Sequence, residues 1–81
     1  MSIVHHIEAP RVRGVTLLSV SARRWRVLDR AGRVIGHVRA EDERDGRRYH
    51  AERFDIVAAR LRELGAFWSA TEAVDCLRYF R

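Results

Sequence analysis

Eighty-one residues, nearly half of them apolar and carrying a net charge of +5, make one small folded domain and exclude an intrinsically disordered tail. No stretch reaches the ~20 apolar residues of a membrane-spanning helix, and residues 1–9 lack the basic start and apolar run of a secretory signal. A chain of this size buries only about 60–65% of the surface its unfolded form exposes, so the core must be compact.

The single cysteine, Cys76, cannot form an internal disulfide, and a reducing cytoplasm is the expected location. All sixteen basic residues are arginine, with no Lys, Asn or Gln. A GC-rich genome favours that usage by itself, so the abundance of arginine is no binding signal. Its distribution is. Residues 1–40 hold eight Arg against Glu8 and Asp29, and residues 41–81 hold eight Arg against nine acids. The basic surplus therefore lies in the first half of the chain.

Residues 1–13 read as an amino-terminal arm or edge strand. Ile3, Val4 and Ile7 favour extended backbone, and Pro10 interrupts any ladder. His5 and His6 would point to opposite faces of a strand and are expected to be surface histidines, not metal ligands. Residues 14–81 form a single domain. The uncharged run 14–21 predicts a strand, with a tight connection at Ala22 and Arg23.

Residues 24–39 predict a β-hairpin. Trp25 and Val27 share one face, and Arg24, Arg26 and Leu28 the other. Asp29 to Gly32 make the turn, with glycine supplying a positive φ. On the return strand Val34, Gly36 and Val38 share a face, and Arg33, Ile35, His37 and Arg39 the opposite one. Gly36 inside a strand suggests a bulge, or a large ring such as Trp25 close over the backbone.

Residues 41–46, EDERDG, predict an exposed charged loop whose acids do not follow a calcium-loop spacing. Residues 47–54 predict a third hairpin strand. Residues 55–65 favour a helix: Asp55 as N-cap, Val57, Leu61 and Leu64 as a stripe, Gly65 at the end. A short extended segment is the alternative. Ser69 and Glu72 form a capping box with Trp68 stapling the start, and Ala73, Val74, Cys76, Leu77 and Phe80 follow at helical spacing. The expected fold is α+β: an antiparallel sheet of three or four strands packed against a C-terminal helix.

Nothing in the chain carries catalytic spacing: no nucleophile elbow, no Gly-rich phosphate loop, no metal-ligand cluster. Cys76 falls on the core face of the last helix, away from the helix start that would activate a thiol. A non-enzymatic binding module without cofactor is expected. If Trp25 and Val27 face the helix, the opposite sheet face presents Arg24, Arg26, Arg33, His37, Arg39, Arg48 and His50 as candidate nucleic-acid contacts. A β-ribbon fits the DNA major groove, about 12 Å wide. His37 and His50 are expected to be exposed. Leu28 and Ile35 on the same face suit a protein interface instead, or self-association.

The order of hairpin, charged loop, third strand and Gly65-Ala66-Phe67-Trp68-Ser69-Ala70-Thr71-Glu72-Ala73 before a final helix resembles the three-stranded-sheet-plus-helix modules at the amino terminus of phage and transposon tyrosine integrases, and the plant ethylene-response-type DNA-binding domain. That resemblance covers roughly residues 24–81. It implies a bacterial or phage-type protein whose sheet reads the major groove. The chain departs from it in the acidic 41–45 loop and the long 55–64 segment. The run from Val27 to Val38, VLDRAGRVIGHV, is similar to the opening hairpin of PRC-barrel domains, which are interaction modules.

Overall fold

The computed structural model of the protein describes residues 7–79. It is an α+β fold. Five antiparallel strands lie side by side in chain order: β1 (Thr16–Ser21), β2 (Arg24–Leu28), β3 (Val34–Glu43), β4 (Gly46–Asp55) and β5 (Arg60–Phe67). The helix α1 (Ala70–Tyr79) follows and lies against β3, β4 and β5. The sheet thus has one strand more than the three or four expected. None of the described helical residues forms a segment long and apolar enough to cross a membrane.

Alternation builds the core from one sheet face. Trp25 and Val27 of β2 pair with Val38 and Gly36 of β3, and Val38 pairs with Ala51 of β4. These residues are buried against Ala73, Val74 and Leu77 of α1. Small side chains in the middle of the sheet let the helix approach closely, and Trp25 is the largest fully buried side chain.

Three bulges interrupt the ladders. Each inserts one residue, Val20 in β1, Ile35 in β3 and Leu64 in β5, with no opposite partner. The bulge at Ile35 overturns the expected faces of the return strand. Val34 lies opposite Leu28 and is exposed, whereas Ile35 packs against the core and is not an outer-face residue. The bulge predicted at Gly36 is therefore present, but Leu77, not Trp25, lies close over the glycine.

Segment 55–65 is not a helix. A turn at residues 56–59 joins β4 to β5. Asp55 does cap a backbone N–H, as expected, but that of Ala58 inside the turn, at 3.1 Å. Ala59 takes a left-handed φ of 55° and sends the chain back along β4. Of the 41–46 loop only Arg44 and Asp45 are turn. Glu41, Asp42 and Glu43 continue β3.

The capping box forms with one change. Ser69 Oγ accepts the Glu72 N–H at 3.2 Å, while the Ser69 hydroxyl donates to Glu72 Oε1 at 3.0 Å. Trp68 does not staple the helix: it is half exposed, lies over Gly46 and carries the Arg48 guanidinium 3.5 Å from its ring centre. Cys76 is half-buried. Ile7, Val12 and Val15 pack against the core cluster, and the Ile7 N–H reaches the Ala22 carbonyl. Ile3, Val4, His5, His6 and Phe80 lie outside the described residues.

Candidate functional site

The sheet face away from α1 carries Arg24, Arg26, His37, Arg39, Arg48 and His50 as expected, because they alternate with the buried set, but Arg33 lies in the turn before β3 and not on the face. Arg24 pairs with Arg39, Arg26 with His37, and Arg39 with His50. That stacking of like charges would be unfavourable alone. Glu52 resolves it. It sits opposite His37, is only 6% exposed, and receives Arg24 Nε at 2.8 Å and Arg39 Nε at 3.3 Å. Arg39 also bonds Glu41 at 2.6 Å and approaches Glu63 at 3.5 Å. The Glu41 carboxyl is held below its ordinary range by that guanidinium, and Arg47 does the same for Asp42.

His50, expected to be exposed, is buried at 8% exposure. Its Nδ1 is hydrogen-bonded to Glu63, and its Nε2 faces Glu41 at 3.5 Å and Glu43 at 3.8 Å. Arg48 pairs with Asp45 at 3.8 Å besides stacking on Trp68. The centre of the face is therefore charge-balanced. Of the seven candidate contacts, Arg24, Arg39, Arg48 and His50 have acidic neighbours. Arg26 and Arg33 have no carboxylate at ion-pair distance among the described residues. His37 is half-buried; burial first, and Arg26 second, hold its imidazole below the ordinary histidine range.

Positive charge accumulates instead at one end of the sheet. A cleft of about 1180 Å³ opens between the β2–β3 turn, the Arg13–Gly14 turn and the end of α1. Arg13, Arg30, Arg33, Arg53 and Arg78 line it, with His37 and a single carboxylate, Asp29. Asp29 Oδ1 is occupied by the backbone N–H groups of Ala31 and Arg33, both at 2.9 Å. Gly14 brings two guanidiniums together: a point at its missing Cβ lies 3.5 Å from Arg78 Nη1 and 3.7 Å from Arg30 Nε. Arg78 Nη2 donates to the Arg13 carbonyl, and Arg53 Nη2 donates to the Leu77 carbonyl at 2.8 Å, at the negative end of the helix.

Arg13, Arg30 and Arg78 were not among the candidates read from the sequence. They are far apart in the chain, and only the turn at Gly14 and the return of α1 bring them together. The charge asymmetry of residues 1–40 was the signal that pointed to this end.

At the same end of the sheet, where β4 turns into β5 beside the cleft, the chain exposes apolar side chains. Ile56 and Val57 are 84% and 98% exposed, and Phe54 is half exposed beside them. No protein-family model, curated protein or solved structure matches the chain significantly.

Proposed function

We propose that the chain is a small non-catalytic module that binds duplex DNA, with the β2–β3 hairpin tip as its leading edge. Arg26, Arg30 and Arg33 ride on a two-stranded ribbon of a width suited to the major groove. Arg13 and Arg78 flank it, and the five arginines together take the phosphates. The observation that carries this reading is the cleft with five arginines and one carboxylate already engaged by backbone N–H groups. Like charges converge there without acidic partners for Arg13, Arg30, Arg33 or Arg78 among the described residues, an arrangement that polyanion phosphates would satisfy.

The test is binding to a labelled duplex by fluorescence anisotropy across a salt series. The expected log–log slope is about −4, for ~4–5 phosphates neutralised. Arg26→Ala, Arg30→Ala and Arg33→Ala should each flatten it by about 1. Folded protein that does not bind duplex at low salt sinks the reading.

A second reading, a protein-binding or self-associating accessory module, draws support from Phe54, Ile56 and Val57. Ile56 and Val57 on the turn and Phe54 at the end of β4 are three large apolar side chains exposed close together, unusual on a monomer's surface. Sedimentation of the chain at rising concentration tests it, and a monomer throughout removes the self-associating form.

A further inference from the structure

We propose that the corner where β3, β4 and β5 meet is a binding site for a divalent transition-metal ion, held by His50 Nε2 and the carboxylates of Glu41 and Glu43. Glu41 and Glu43 stand two apart on β3 and so project from the same face. His50 reaches them diagonally from β4. Their ligand atoms all lie within 4.8 Å of one another, with Nε2 3.5 Å from Glu41 and 3.8 Å from Glu43. Donors around a tetrahedral ion at ~2.1 Å are spaced roughly 3.4 Å apart, so the two His50 distances need shifts of a few tenths of an ångström and the Glu41 and Glu43 oxygens, within 4.8 Å of each other, a rotamer adjustment of no more than about 1.4 Å.

The imidazole points independently to a ligand. Its side chain is nine-tenths buried, and Nε2 has no hydrogen-bond partner. A carboxylate can only accept, so the Nδ1 bonded to Glu63 carries the proton. In the neutral ring that leaves the Nε2 lone pair aimed at two carboxylate oxygens. Lone pair against lone pairs is repulsive, and a cation between them reverses the sign. A carboxylate on the far nitrogen is the usual outer partner of a metal-bound histidine, fixing its tautomer and orientation.

Charge agrees. Glu41, Glu52 and Glu63 each have an arginine at ion-pair distance, whereas Glu43 has none among the described residues, so its carboxylate is the charge a cation would meet. Arg39 donates to Glu41 Oε2, the oxygen that also faces His50 Nε2, so an ion would share that oxygen through its second lone pair or take Oε1. One imidazole with two carboxylates suits Zn²⁺ or its first-row neighbours better than Ca²⁺, which takes six to eight oxygens. Three protein donors leave a position for water.

The experiment is isothermal titration of the tag-free full chain with ZnCl₂, in a His5→Ala, His6→Ala background so that the adjacent amino-terminal histidines do not contribute. One equivalent should bind and raise the melting temperature, and excess Mg²⁺ or Ca²⁺ should not displace it. His50→Gln and Glu43→Gln should each weaken binding at least roughly tenfold, and Glu63→Gln by roughly 10–100-fold. Asp42→Asn should bind as the parent does, since Asp42 engages Arg47 instead. Glu43 is exposed, so its variant tests the site without endangering the fold. Absence of stoichiometric binding by folded parent chain, or full-strength binding by Glu43→Gln and His50→Gln, overturns the proposal. Unchanged affinity in Glu63→Gln overturns the positioning role of that residue.

Discussion

Leu77 lies over Gly36 so closely that a Cβ there would sit 2.6 Å from Leu77 Cδ2 and 2.7 Å from the backbone oxygen of Glu52. The φ of Gly36, +154°, is also one that side-chain-bearing residues rarely adopt. Gly36→Ala should therefore lose about 2–3 kcal/mol in urea unfolding, from overpacking and backbone strain together. Adding Leu77→Ala should not restore it, because the Glu52 carbonyl belongs to the main chain and cannot retreat. Wild-type stability in Gly36→Ala would show that the helix yields there.

Glu52 is the counter-charge of the open sheet face. Glu52→Gln strands Arg24, which is 32% exposed, and takes one of three carboxylates from Arg39, which keeps Glu41 and Glu63. A loss of about 2 kcal/mol is expected, below the ~3–5 kcal/mol of a fully buried pair. The same change uncovers the Arg24 guanidinium beside the hairpin. Duplex affinity at low salt should rise and the salt slope steepen by about 1. Stability that drops with no gain in duplex binding would mean the sheet face lies outside the DNA contact.

His37 gives a pH dependence of known sign. Its imidazole binds a proton less readily in the folded chain than in the unfolded one, because of burial and then Arg26; Arg24 adds to the effect and Glu52 opposes it. Above the ordinary value of about 6.5 neither state is protonated and the group leaves stability unchanged. As the pH falls below that, the unfolded chain gains the proton first and stability declines, levelling once the folded ring is protonated too. Between pH of about 7.5 and about 5.5 the wild type should lose more stability than His37→Gln. Equal losses would remove the assignment.

Ile56 and Val57 contribute nothing to the core. Replacing both with serine should change unfolding free energy by no more than about 0.5 kcal/mol. If the turn mediates self-association, the same double variant should sediment as a monomer at concentrations where the wild type does not. Identical sedimentation assigns no contact to the turn.

The centre of the sheet was legible, because β2 and the middle of β3 keep a period of two around Trp25, Val27, Val38 and Ala40. The failures share one cause. The bulge at Leu64 inserts a residue, so the apolar positions of β5 fall at Leu61 and Leu64, three apart, which is the spacing of a helix face. Asp55 strengthened the error, since its carboxylate caps a turn as readily as a helix start. The bulge at Ile35 likewise moved an apolar side chain from the expected outer face into the core. The candidate surface was half legible. Alternation put the right arginines on the open face, but the burial of Glu52 and His50 follows from cross-strand neighbours that no local pattern displays. The Arg13–Arg30–Arg78 convergence depends on where α1 ends.

Because every strand lies beside its predecessor, the sheet grows in the order of the chain, one hairpin on the next, and no segment has to thread past another. Loop closure stays short at each step, which favours rapid assembly for a β-rich chain. Only α1 must travel back across finished strands, and it lands last on Gly36, Val38 and Ala51. Its docking is the event that turns a stack of marginal hairpins into a cooperative unit.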